Sequence, residues 1–165
     1  MPSGVWSFNP ANSRLKVMED SLSWPNGIAL AADNTLYVAN TPLTAGSAID
    51  TLSPRYVFHF SAYKIVASMD SIIALLDRHS PRLIYVPDSH FADGIKLLQT
   101  GYNFTAAGSS IDVIHPTDGM LVGKIVTGNE IMNNLVAVPG GEWWLGGKGG
   151  IWRARIKEQG IVNYG

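Results

Sequence analysis

Three times the chain runs through the same succession of residues. Trp24-Pro25-Asn26-Gly27-Ile28-Ala29-Leu30 leads into Thr35-Leu36-Tyr37-Val38-Ala39-Asn40. Phe91-Ala92-Asp93-Gly94-Ile95-Lys96-Leu97 leads into Asn103-Phe104-Thr105-Ala106-Ala107-Gly108. Asn133-Asn134-Leu135-Val136-Ala137-Val138 leads into Glu142-Trp143-Trp144-Leu145-Gly146-Gly147. Each copy is a polar side chain, a short apolar run, a turn, and a second apolar run ending in small residues. A unit this small cannot bury its own apolar face, so repetition implies like sheets that share cores with their neighbours. The pattern also sets Asn26, Asp93 and Asn134 at one recurrent place. If the units surround an axis, three oxygen-bearing side chains converge there.

Around the repeats, short runs rich in Val, Ile, Tyr, Phe and Trp alternate with Gly, Asn, Asp and Pro, which is the pattern of strands joined by turns. Strands are expected over 5–8 and 15–18, 28–32 and 35–40, 56–60 and 82–86. Further strands follow over 94–98, 103–107, 110–115 and 121–126, then 135–139, 143–147 and 150–156, with Asp118-Gly119 as a hairpin turn. Ile161-Val162-Asn163 is a weak last strand. Asp93 and Asn134 lie 41 residues apart, close to the ~40–45 residues of a four-stranded propeller blade. Asn26 and Asp93 lie 67 apart. The excess falls in the Pro/Thr/Ser/Gly-rich stretch 42–55 and in 64–80, where helix-like apolar spacing allows a short helix, with an irregular crossing or an extra strand equally open.

The expected fold is therefore all-β, a partial propeller of about three to three and a half four-stranded blades occupying residues 1–165 as one region. The first unit lacks inner strands and the last lacks a full outer one, whereas closed propellers have about 4–8 blades. Raw sheet edges of this kind invite self-association.

Composition narrows the function. Apolar residues make up 46% and charged residues 15%, with a net charge of −1 and no basic cluster, so a phosphate-binding face for nucleic acid is not expected. No apolar run approaches the ~20 residues of a membrane-spanning helix. Met1-Pro2-Ser3-Gly4-Val5-Trp6 has neither a basic leader nor an apolar core, so no secretory signal is expected. The absence of cysteine removes thiolate metal ligands and leaves the compartment undetermined. Gly146-Gly147-Lys148-Gly149-Gly150 lacks the spacing of a phosphate loop, and no G-x-S-x-G elbow is present.

Five segments in order resemble the SMP-30/gluconolactonase/LRE-like family of six-bladed propeller lactonases, in particular its fungal lactonohydrolase branch. They are Gly4-Val5-Trp6-Ser7-Phe8-Asn9-Pro10; the Trp24–Leu30 run with Leu36–Asn40; Asp93-Gly94-Ile95-Lys96; Ile111-Asp112-Val113-Ile114-His115-Pro116 with Leu121–Ile125; and Gly149-Gly150-Ile151-Trp152-Arg153. The resemblance implies a divalent cation, Ca²⁺ first among the candidates, at one mouth of the channel. It places metal ligands at Asn26 and Asp93, with Asp93 also the catalytic proton carrier. The family's first-blade Glu ligand would precede Met1, so the resemblance implies a chain lacking the N-terminal blades, with little turnover by itself. Ala92 stands where the family has Pro, which loosens the loop presenting Asp93.

The residue chemistry suits that role, because carboxylate and amide oxygens favour hard cations. Each motif also has a plainer reading. Asn26-Gly27 alone is a common turn. His90 is a candidate substrate contact or a solvent-facing loop residue. Asn134 lines the channel beside substrate or caps a strand. His59 and His115 are expected to be structural, and one of Trp143 and Trp144 to be core. The leading expectation is a metal-dependent lactonase acting on a sugar lactone or a relative of one. A non-catalytic propeller fragment that binds a ligand or partner, and a strictosidine-synthase-like propeller, stand as alternatives.

Overall fold

The computed structural model describes residues 3–20, 22, 25–33, 35–40, 59–68, 71–76, 82–88 and 92–157. Among them every regular element is a β-strand. Sheet I pairs β1 (Val5–Asn9) with β2 (Arg14–Glu19). Sheet II runs β3 (Pro25–Leu30), β4 (Thr35–Asn40), β5 (His59–Ser68) and β6 (Ser71–Leu76), and β7 (Arg82–Tyr85) also pairs with β5. Sheet III contains β8 (Ala92–Leu97), β9 (Asn103–Ala107), β10 (Ser110–Ile114) and β11 (Leu121–Val126), in sequence order across the sheet. Sheet IV contains β12 (Met132–Val138), β13 (Glu142–Gly147) and β14 (Gly150–Arg155). All pairings are antiparallel.

The described residues of the stretch 64–80 settle as strand: β5 extends to Ser68 and β6 pairs with its far end. Backbone pairing with β4 over the first half of β5 carries the strand through sequence whose apolar spacing fits a helix equally well. The expected strand at 161–163 lies outside the described residues.

Sheets II and III each have one face toward the preceding sheet and one toward the following sheet, because side chains alternate along a strand. Three buried seams result. Val5, Met18 and Leu22 meet Leu36 and Val38 between sheets I and II. Ala29, Tyr37, Ala39 and Ile84 meet Ile95, Leu97 and Ile114 between sheets II and III. Phe104, Ala106 and Ile111 meet Leu135, Ala137, Trp143 and Leu145 between sheets III and IV. In the last seam Phe104 and Trp143 stack at 4.8 Å between ring centroids, their planes 17° apart. Fully burying a side chain of this size stabilises by about 1.5–3 kcal/mol, so the seams are the main adhesive of the array.

The second seam also holds a polar latch. Asp112 is fully buried; the Tyr85 hydroxyl donates to its Oδ2 at 2.7 Å and the Ser110 hydroxyl to its Oδ1 at 2.6 Å. Lys124 Nζ lies 3.6 Å from Asp112 and 2.8 Å from Asp88. Burial, then the bond to Asp112, pushes the Tyr85 phenol far above its ordinary range. Asp88 raises the Lys124 ammonium, chiefly through their hydrogen bond. At Asp118-Gly119 the hairpin turns as expected, with Gly119 at φ +74 and a would-be Cβ overlapping the Ile84 carbonyl oxygen. Only glycine fits there.

Candidate functional site

The repeated motifs coincide with a repeated backbone irregularity. In β3 the register steps from Pro25↔Asn40 to Ile28↔Val38, leaving one extra residue at Asn26-Gly27. In β8 it steps from Ala92↔Ala107 to Ile95↔Thr105, with the extra residue at Asp93-Gly94. In β12 it steps from Met132↔Gly147 to Asn134↔Gly146, with Asn133 extra. Each first strand is thus bulged at its start. A β-bulge re-aims the side chain it carries and is common beside active sites.

The three bulges pack against one another. A Cβ on Gly27 would overlap the Asp93 carbonyl oxygen and sit 2.8 Å from the Ile95 nitrogen. A Cβ on Gly94 would overlap the Asn134 amide oxygen and approach the Asn134 Cα at 2.9 Å. The two glycines therefore let the segments bearing Asn26, Asp93 and Asn133 close up side by side, and Thr105 helps hold the middle one by donating its hydroxyl to the Gly94 carbonyl at 3.4 Å.

At the centre lies Asp93, 9% exposed. The Asn133 amide donates to its Oδ2 at 3.1 Å across the boundary between sheets III and IV. Burial raises the Asp93 pKa above the ordinary carboxylate value, and the Asn133 bond opposes part of that rise. A carboxyl kept proton-hungry yet reachable is suited to taking a proton from water. Asn26 sits on the adjoining bulge with its side chain exposed.

Asn134 takes the capping reading: its Oδ1 accepts the Leu135 backbone N–H at 2.9 Å. The residue in register with Asn26 and Asp93 is Asn133, one position earlier, and Asn134 occupies the place filled by glycine in the other two copies. The Asn-Asn doublet holds both candidates, and only the bulge distinguishes them. His90 lies outside the described residues, as does Trp24. His115 is structural as expected, with Nδ1 2.9 Å from Asp118 Oδ1 and its ring edge-on to Tyr102. Trp143 is core and Trp144 is not. Among the described residues no group of three or more His, Cys, Asp or Glu side chains gathers as a metal cluster, so any cation here would rest on one carboxylate and neighbouring amides.

Taken together, these features define an all-β array of antiparallel sheets whose first strands bring polar bulges to a common locus. No family model matches the chain. It is 28% identical over 93% of its length to the Aspergillus oryzae lactonohydrolase oryH, covering 34% of that protein. A gluconolactonase from Xanthomonas campestris superposes on 95% of the chain with a TM-score of 0.70 and 24% identity, the match covering 44% of that structure. A luciferin-regenerating enzyme superposes on 95% with a TM-score of 0.74 and 12% identity, covering 53%. The chain spans about a third of the length of its curated relative and about half of these structures. The chain is thus similar in sequence to a lactonohydrolase and shares its fold with a gluconolactonase and a luciferin-regenerating enzyme.

Proposed function

We propose that the sheets are blades of a six-bladed propeller and that the three bulges form the reactive mouth of a lactone hydrolase. The observation that carries this reading is the adjacency of Asn26-Gly27, Asp93-Gly94 and Asn133 on equivalent bulges, with a buried carboxylate among amides. Similarity to a lactonohydrolase supports the choice of a ring ester as substrate.

The donor set, one carboxylate with amides, has the chemistry of a Ca²⁺ site. Asn26 and Asp93 would hold the ion, with Asn133 beside them. Such a cation supplies polarisation of the ester carbonyl. Asp93 receives the proton of the attacking water. Oxygen adds to the carbonyl carbon, the bond from that carbon to the ring oxygen breaks, and the proton ends on the released hydroxyl of a hydroxy acid. The raised pKa of Asp93, caused by burial, makes it a better proton acceptor than an ordinary carboxylate.

The test follows acid release from δ-gluconolactone with Ca²⁺ present, alongside calorimetric Ca²⁺ titration. A slow, Asp93-dependent rate is expected, falling on the order of a hundredfold or more in Asp93→Asn, together with weaker Ca²⁺ binding in Asp93→Asn and Asn26→Ala. Hydrolysis and Ca²⁺ binding that are indifferent to both substitutions would overturn the assignment.

A further inference from the structure

The Asp93 carboxylate is held from another sheet. Among the described residues its one hydrogen bond comes from Asn133, 40 positions further along the chain, whose Nδ2 donates to Oδ2 at 3.1 Å. Oδ1 of the same carboxylate has no donor among the described residues. The two oxygens therefore differ: one is tied to β12 and the other is left for something that is not protein.

The backbone is shaped to make that tie. The register step in β12 leaves Asn133 without a partner on β13, so its side chain is released from the alternation of the strand. Gly94 has no Cβ to strike the Asn134 amide, so the start of β12 closes on the start of β8. Asn134 is itself fixed by accepting the Leu135 N–H. The doublet thus divides its work: Asn134 holds the bulge and Asn133 crosses to Asp93. An amide suits the crossing where a second carboxylate would not. It donates to an anion, a bond stronger than one between neutral groups, and brings no charge to repel Asp93. The last torsion of an aspartate is broad, and a bond at Oδ2 narrows it to one orientation.

We propose that Asn133 is a positioning residue of the lactonase site: its amide holds Oδ2 of Asp93, so that Oδ1 is the oxygen presented to the cation and to the proton of the attacking water. Sheet IV then belongs to the site through a side chain that acts on Asp93 and not on the substrate. Orientation of a reacting group in this way contributes to rate rather than to substrate affinity. The role rests on the lactonase reading, whereas the contact is made between described residues and depends on nothing that flanks them.

The experiment compares Asn133→Leu, Asn133→Asp and Asn133→Gln with the unaltered 165-residue chain. Asn133 is exposed, so all four should give the same far-ultraviolet circular dichroism. With δ-gluconolactone and saturating Ca²⁺, Asn133→Leu should lower kcat on the order of ten- to a hundredfold and leave KM nearly unchanged. Asn133→Asp keeps an oxygen but loses the donor, and should be as slow. Asn133→Gln keeps the donor and should recover much of the rate. With neither Ca²⁺ nor substrate, the Asn133 side-chain amide protons should exchange with water more slowly than those of exposed Asn129, and should lose that protection in Asp93→Ala. In a chain that hydrolyses the lactone, an unchanged kcat in Asn133→Leu, full activity in Asn133→Asp, no recovery in Asn133→Gln, or exchange as fast as that of Asn129 would each overturn the positioning role and leave the lactonase reading standing. An unaltered chain that neither hydrolyses the lactone nor binds Ca²⁺ would overturn both.

Discussion

Sheets III and IV are built from the same repeat, yet their second strands meet opposite fates. Every residue of β9, Asn103 to Ala107, is buried, while β13 alternates between buried and exposed positions. The difference does not come from composition, since β13 carries two tryptophans and β9 carries Asn103 and Thr105. Among the described residues, sheet III has a neighbour on each face and sheet IV has one on a single face. Burial in a stacked array is therefore decided by position in the stack. Phe104 and Trp144 are register equivalents, one 3% and the other 41% exposed, and they measure that difference at a single site.

The strongest way to test the comparison is to truncate the paired tryptophans. Trp143→Ala removes a fully buried ring stacked on Phe104 and should cost about 3–5 kcal/mol. Trp144→Ala, measured in urea, should cost less than about 1 kcal/mol. Similar losses at the two sites would refute the one-faced description of sheet IV. Next in size is the latch of the second seam. Asp112→Ala removes the carboxylate that accepts from Tyr85 and Ser110, while Ser110 keeps the Ala107 carbonyl, and should cost roughly 1–3 kcal/mol. A neutral outcome would mean that the apolar contacts alone hold sheets II and III together.

Gly94→Ala forces a methyl into Asn134, and overpacking of this kind costs about 1–3 kcal/mol. The same substitution should displace Asp93 from Asn133, which a shift in the Asn133 side-chain amide resonance would report. Asp93→Asn should act in the opposite direction. Burial raises the Asp93 pKa, so the native state holds that proton more tightly than the unfolded chain does. Ionisation then costs stability as pH climbs from the ordinary carboxylate value of about 3.9 to the raised native one. The penalty is in full force only above the raised native value. Asp93→Asn should therefore stabilise the protein increasingly as pH rises above the ordinary carboxylate range, with the gain vanishing below that range. Destabilisation at pH 7 would show that the carboxylate is structural rather than held for chemistry. The smallest effect is expected from Asp88→Asn, whose partner Lys124 it meets at an exposed edge. A change within about 0.5 kcal/mol is expected there.

Local pattern alone made the strand order, the repeat and the segments carrying Asn26 and Asp93 legible, because alternation, turn residues and repetition are written between near neighbours. The latch of Tyr85, Asp112 and Lys124 was not legible. Its members come from three strands, and Asp112 reads as one more polar residue between Ile111 and Val113 until two sheets close over it. The strand character of 64–68 and 71–76 was equally hidden, since β5 is set by distant β4 up to Lys64 and its far end then pairs with β6. Asn133 and Asn134 look interchangeable in sequence, and only a register step against β13 aims one at Asp93 and turns the other into a cap.

Sequence by itself therefore determined an array of like β-units with polar residues at recurrent starts. Tertiary structure decided which of those residues meet, which tryptophan is core, and which faces stay open. The physical reason is that periodicity specifies two faces for each strand, but what covers a face depends on which sheet stands next to it.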